Sequence, residues 1–116
     1  LIDALTRGDA GRAIRLLHLL LEVEEPAAVF GMIVRQSRLM IQAREILDAG
    51  GAMAMVMGEL VMGEYAAQKL VEQTRRFNME QLETIHQRLL QMDVDSKTST
   101  VPLEIALDTF IAGLAR

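Results

Sequence analysis

The 116 residues are 51% hydrophobic but only 3% aromatic, so one core can close and Leu, Ile, Val, Ala and Met must fill it. That composition favours helix-on-helix packing over a β-sandwich. A formal charge of −4 argues against a free-standing nucleic-acid binder, and the lack of cysteine excludes a disulfide framework or a thiolate metal site.

No charged, apolar and small-residue leader opens the chain, and no run approaches the roughly 20 apolar residues a membrane span needs. The expected location is cytoplasmic, with no membrane partner. The chain opens on Leu1 rather than methionine, as expected of a fragment of something longer.

Leu1 to Leu5 reads as the tail of a helix stopped at Gly8, and Asp9 as the N-cap of the next, which runs to about Val23. At 3.6 residues per turn, Ala10, Ala13, Ile14, Leu17, Leu20 and Leu21 share its apolar face, while Leu19 points away. Glu25-Pro26 opens a long helix to about Asp48, because proline at the first helical position forfeits no hydrogen bond. Its apolar residues surround most of the axis, which is expected of a central helix. One polar ridge remains, made of Arg35, Arg38, Gln42 and Glu45. Gly50-Gly51 ends it.

A short helix over Ala52 to Leu60, weakened by Gly58, precedes a turn at Val61 to Gly63. A longer helix from about Glu64 to Phe77 is expected to bury Ala66, Ala67, Leu70 and Phe77. Asn78 with Gln81 forms a capping-box pair at the start of the next helix. That helix carries Leu82, Ile85, Leu89 and Met92 on one stripe and breaks over Ser96 to Thr100. Pro102 opens the last helix, whose face is Leu103, Ala106, Leu107, Phe110 and Leu114, with Ile105 opposite. No strand alternation, hairpin signal or internal repeat occurs. The expectation is an all-α, single compact bundle of five to six helices.

Chemistry-bearing patterns are sparse. A P-loop needs a lysine after its glycines, and neither Gly50-Gly51 nor Gly58 leads to one. His18 and His86 have no second ligand at metal spacing and read as ordinary packing or surface residues. Asp93, Asp95 and Glu104 are better explained by helix-end electrostatics than by catalysis. No cofactor, metal or small-molecule substrate is expected.

Met53, Met55, Met57 and Met62 could line a binding groove, though core filling is the favoured reading. Ala52 to Phe77 could form a helix-turn-helix with Lys69, Arg75 and Arg76 on DNA, but Glu59, Glu64 and Glu72 accompany them. A helix-turn-helix regulator and a generic helical adaptor are therefore the rival readings.

Several stretches in order resemble one family. They are Leu5-Thr6-Arg7-Gly8-Asp9, Val34-Arg35-Gln36-Ser37-Arg38-Leu39 and Gln68-Lys69-Leu70-Val71-Glu72-Gln73-Thr74-Arg75-Arg76-Phe77, then Leu89-Leu90 with Asp93 and Lys97, and Pro102 with Glu104, Ala106 and Leu107. Together they resemble the C-terminal domain of the bacterial DNA polymerase III delta subunit, over nearly the whole chain.

The resemblance implies a clamp-loader collar domain spanning residues 1–116, with ATPase-like domains upstream of the fragment. It implies a subunit-assembly role in sliding-clamp loading and DNA replication, with no catalysis in this fragment. The parent assembly is the DNA-directed DNA polymerase III holoenzyme, a nucleotidyltransferase complex. Implied neighbours are the delta-prime and gamma/tau subunits, with the sliding clamp and primed DNA reached through the full assembly.

Leu19 and Ile105, apolar residues on polar faces, are the candidate interface. The family match of Asp93 and Lys97, four residues apart, suggests a structural polar network reaching Arg35 or Arg38 through a partly buried contact, with direct contact to a partner as the alternative.

Overall fold

Local capping chemistry sets the helix boundaries. The computed structural model describes residues 1–98 and 101–114, which form seven helices and no strand. These are α1 (Ile2–Thr6), α2 (Ala10–Val23), α3 (Pro26–Asp48), α4 (Met53–Glu59), α5 (Glu64–Thr74), α6 (Met79–Thr98) and α7 (Leu103–Leu114). The all-α expectation holds, but the count exceeds the expected five or six. The segment read as a helix tail is α1, a helix with its own C-terminal cap.

Asp9 caps α2 as expected, its Oδ1 accepting the Arg12 N–H at 3.1 Å. The Asn78–Gln81 capping box also forms. Asn78 Oδ1 accepts the Gln81 N–H at 2.8 Å, and Gln81 Oε1 accepts the Asn78 N–H at 2.9 Å. Pro26 opens α3, and the Glu25 carbonyl accepts from Ala28 and Val29.

Three helices end in the same left-handed cap, where one backbone N–H reaches back five residues. After α1, Gly8 sits at φ 74° and the Asp9 N–H bonds the Ala4 carbonyl at 3.0 Å. After α3, Gly50 sits at φ 86° and the Gly51 N–H bonds the Ile46 carbonyl at 2.8 Å. After α4 the Met62 N–H bonds the Met57 carbonyl at 3.0 Å, but the left-handed residue is Val61, at φ 52°. A β-branched side chain there is strained.

Two boundaries depart from the sequence reading. Helix α5 ends at Thr74, because Arg76 and Phe77 donate to carbonyls only three residues back, those of Gln73 and Thr74. Helix α6 continues through Ser96 to Thr98. The Ser96 and Thr98 hydroxyls donate to the Asp93 and Val94 carbonyls at 2.9 and 3.2 Å, so these residues are accommodated within the helix. Ser99 and Thr100, the rest of the expected break, lie outside the described residues.

The chain divides into two compact units, Leu1–Val34 with 87–116, and Arg35–His86. In the first, α2 packs against α1 and α7. Ala13, Leu17, Leu89, Leu107 and Ile111 are fully buried there. Ile111 was absent from the expected α7 stripe; it lies one turn beyond Leu107 on the buried line, whereas Leu103, Ala106, Phe110 and Leu114 are only partly covered.

In the second unit, α4 packs on α5. Met40, Ala43, Ile46, Val56, Ala67, Leu70, Val71 and Leu82 form its buried cluster. Ala66 is exposed and Val71 buried, since the inward line of α5 is Ala67, Leu70, Val71 and Thr74. Met53, Met57 and Met62 pack against this cluster, so core filling accounts for three of the four methionines in question; Met55 is exposed.

Candidate assembly surface

Helices α2 and α7 are tied across their contact by one polar bridge. His18 Nε2 lies 2.7 Å from Asp108 Oδ1, both side chains being about half exposed. Leu19 follows His18 in α2, and Ile105 precedes Asp108 by one turn of α7. The bridge therefore fixes the two helices close to both candidate interface residues. Leu19 is 58% exposed and Ile105 54% exposed, each with its helix's apolar face turned inward.

Val23, Met32, Leu90, Val94 and Val101 of the same unit are also exposed. This unit thus holds seven of the ten exposed large hydrophobic side chains among the described residues. Leu90 and Val94 make a stripe one turn apart on α6, outside the buried line through Leu89. The sequence reading missed it because it followed only the inward stripe of α6. Between α6 and α7 lies an open groove of about 440 Å³, with Met92, Val101, Ala106 and Phe110 among its apolar lining and Arg88 and Asp95 among its polar lining.

The four polar candidates are all on helix surfaces. Lys97 Nζ lies 3.3 Å from Asp93 Oδ2, and both side chains are more than half exposed, so that pair stands in water. An exposed pair of this kind contributes only a few tenths of a kcal/mol, on the order of 0.3–0.5 in helices. Arg35 and Arg38 lie on α3 and are likewise exposed.

Within the second unit the chain builds polar contacts that spacing did not signal. Gln36 Nε2 donates to Gln73 Oε1 at 2.9 Å, and Ser37 Oγ lies 2.9 Å from His86 Nδ1. Ser37 is only 2% exposed, so this serine–histidine pair is a packing contact rather than an accessible nucleophile. Arg44 joins α3 to the α5–α6 connection, donating to Asp48 Oδ1 at 3.0 Å and to the Phe77 carbonyl at 3.2 Å. Among the described residues no cluster of three His, Cys, Asp or Glu could hold a metal ion, and no helix is long and apolar enough to cross a membrane.

The helix-turn-helix reading needs Lys69, Arg75 and Arg76 free for phosphates. Arg76 is instead paired with Glu72 at 3.1 Å.

Known proteins resemble this chain in sequence and in fold. The family model for the DNA polymerase III delta subunit, C-terminal domain, matches residues 1–114. The Bacillus subtilis (strain 168) DNA polymerase III subunit delta is 26% identical over 98 residues, covering 84% of this chain and 28% of that protein. The solved structure of the Bacillus subtilis DNA clamp loader delta protein (YqeN) superposes with a TM-score of 0.88 at 23% identity, over 98% of this chain and 34% of that one. The chain thus spans about a third or less of the length of these relatives. With nearly every residue inside the family match, the chain belongs to the family of C-terminal domains of the DNA polymerase III delta subunit.

Proposed function

We propose that this domain is the assembly module of a clamp-loader delta subunit, supporting sliding-clamp loading in DNA replication and carrying no chemistry of its own. Its neighbours in that reading are the delta-prime and gamma/tau subunits, and the sliding clamp and primed DNA are reached through the full assembly in the cytoplasm. The observation that carries the proposal is the concentration of exposed apolar side chains on the unit built around α2 and α7, Leu19 and Ile105 included. Scattered exposed apolar residues are ordinary, but seven in one unit of a small domain suit a surface that is covered in an assembly.

Reconstitution of the full-length protein with the other loader subunits, followed by size-exclusion chromatography, tests this. Co-elution that is lost when residues 1–116 are deleted is expected. Co-elution unaffected by that deletion would refute the assignment.

A further inference from the structure

Three guanidinium groups of the second unit, those of Arg35, Arg38 and Arg75, have no hydrogen-bond or ion-pair partner among the described residues. Four cations of the chain are answered by a carboxylate four residues away. Arg7 is paired with Asp3, Arg44 with Asp48, Arg76 with Glu72 and Lys97 with Asp93. Arg35 and Arg38 have no acid at that spacing. Three and four residues from Arg35 lie Gly31, Met32, Arg38 and Leu39; from Arg38 lie Val34, Arg35, Ile41 and Gln42. None is acidic, and the first acid further along α3 is Glu45.

No carboxylate of the Arg35–His86 unit holds either side chain, and both are exposed. They also repel one another, since residues three apart share a helix face. The ridge continues to exposed Gln42, about 10 Å along the axis at 1.5 Å per residue. The Gln36–Gln73 hydrogen bond brings the end of α5 against this stretch of α3. Two residues beyond Gln73, Arg75 is a third exposed guanidinium without a carboxylate of the unit.

We infer that Arg35 and Arg38 form a docking ridge for a carboxylate-bearing surface of a neighbouring loader protein. The inference rests on the assembly role proposed above. A guanidinium presents a rigid fork of donors that matches a carboxylate at two points, and two on successive turns suit a pair of acids on a partner helix. A phosphate backbone is the poorer occupant. The unit holds seven carboxylates against six cations, so it lacks the broad positive field that gathers nucleic acid. The repulsion between Arg35 and Arg38 is relieved when acids of the partner arrive.

The test uses the full-length protein and the reconstituted loader. Association is measured across a salt series for the wild type, for R35E/R38E and for R35K/R38K, with primed duplex binding followed in parallel. The reversal is expected to weaken assembly on the order of tenfold or more and to flatten its salt dependence. The lysine variant keeps the charge and the salt slope but loses part of the affinity, because the fork is gone. Unchanged affinity and slope in R35E/R38E, with wild-type assembly intact, overturns the ridge and leaves the assembly role standing. Loss of duplex binding with normal assembly reassigns the ridge to phosphates and likewise overturns it. Failure of the wild type to assemble removes the assembly role and the ridge together.

Discussion

His18 and Asp108 meet at 2.7 Å although 90 residues separate them, and they do so between α2 and α7. The bridge is half exposed, so solvent screening keeps its contribution small. In a double-mutant cycle of His18→Ala and Asp108→Ala, the coupling by urea denaturation should be about 0.2–1 kcal/mol and should shrink at high salt. A coupling of several kcal/mol would mean that the bridge is the main fastening between the two helices and packing the lesser one.

Leu89 is fully buried on the inward line of α6. Leu89→Ala should cost on the order of 2–5 kcal/mol, from lost transfer energy and the cavity left behind. Thermal denaturation checks this, and an unchanged melting temperature would contradict the packing.

The caps after α3 and α4 invite opposite substitutions. Val61 adopts φ 52° and is 89% exposed, so its side chain gives little burial in return for the strain. Val61→Gly should stabilise the domain by about 1 kcal/mol, the removed strain outweighing the added freedom of the unfolded chain. Gly51→Ala should do the reverse, since a methyl group there would lie 2.6 Å from Ile46 Cγ2 and 2.9 Å from the Ile46 carbonyl oxygen. Denaturation midpoints that move the other way would contradict the cap geometry.

These positions mark what the sequence makes legible. Asp9, Pro26 and Asn78 announce helix starts because capping is local chemistry, and the structure forms the cap or opens the helix at each of them. The inward lines of α2 and α6 follow from periodicity alone. The left-handed Val61 gives no such signal, since valine disfavours that conformation and only the cap hydrogen bond reveals it. Ala66 was misplaced because two adjacent alanines leave the phase of α5 open until Val71 and Thr74 are known to be buried.

The candidate surface was only partly legible for a related reason. Leu19 and Ile105 stand out as lone apolar residues on polar faces. Leu90 and Val94 sit beside a strong inward stripe and pass for its margin. The His18–Asp108, Gln36–Gln73 and Ser37–His86 contacts join residues far apart in the chain, so spacing cannot disclose them.

Ile105 offers the most direct test of the assembly role. It stands outside the buried line through Leu107 and Ile111, and surface substitutions usually alter stability by no more than about half a kcal/mol. Ile105→Glu should therefore leave the melting temperature nearly unchanged. In the full-length protein the same change should weaken loader assembly in size-exclusion chromatography, because an interface core tolerates an unpaired buried charge poorly. A folded mutant that fails to co-elute with the other subunits is the predicted result. A folded mutant that assembles normally would contradict it, and an unfolded one would show that Ile105 belongs to the core.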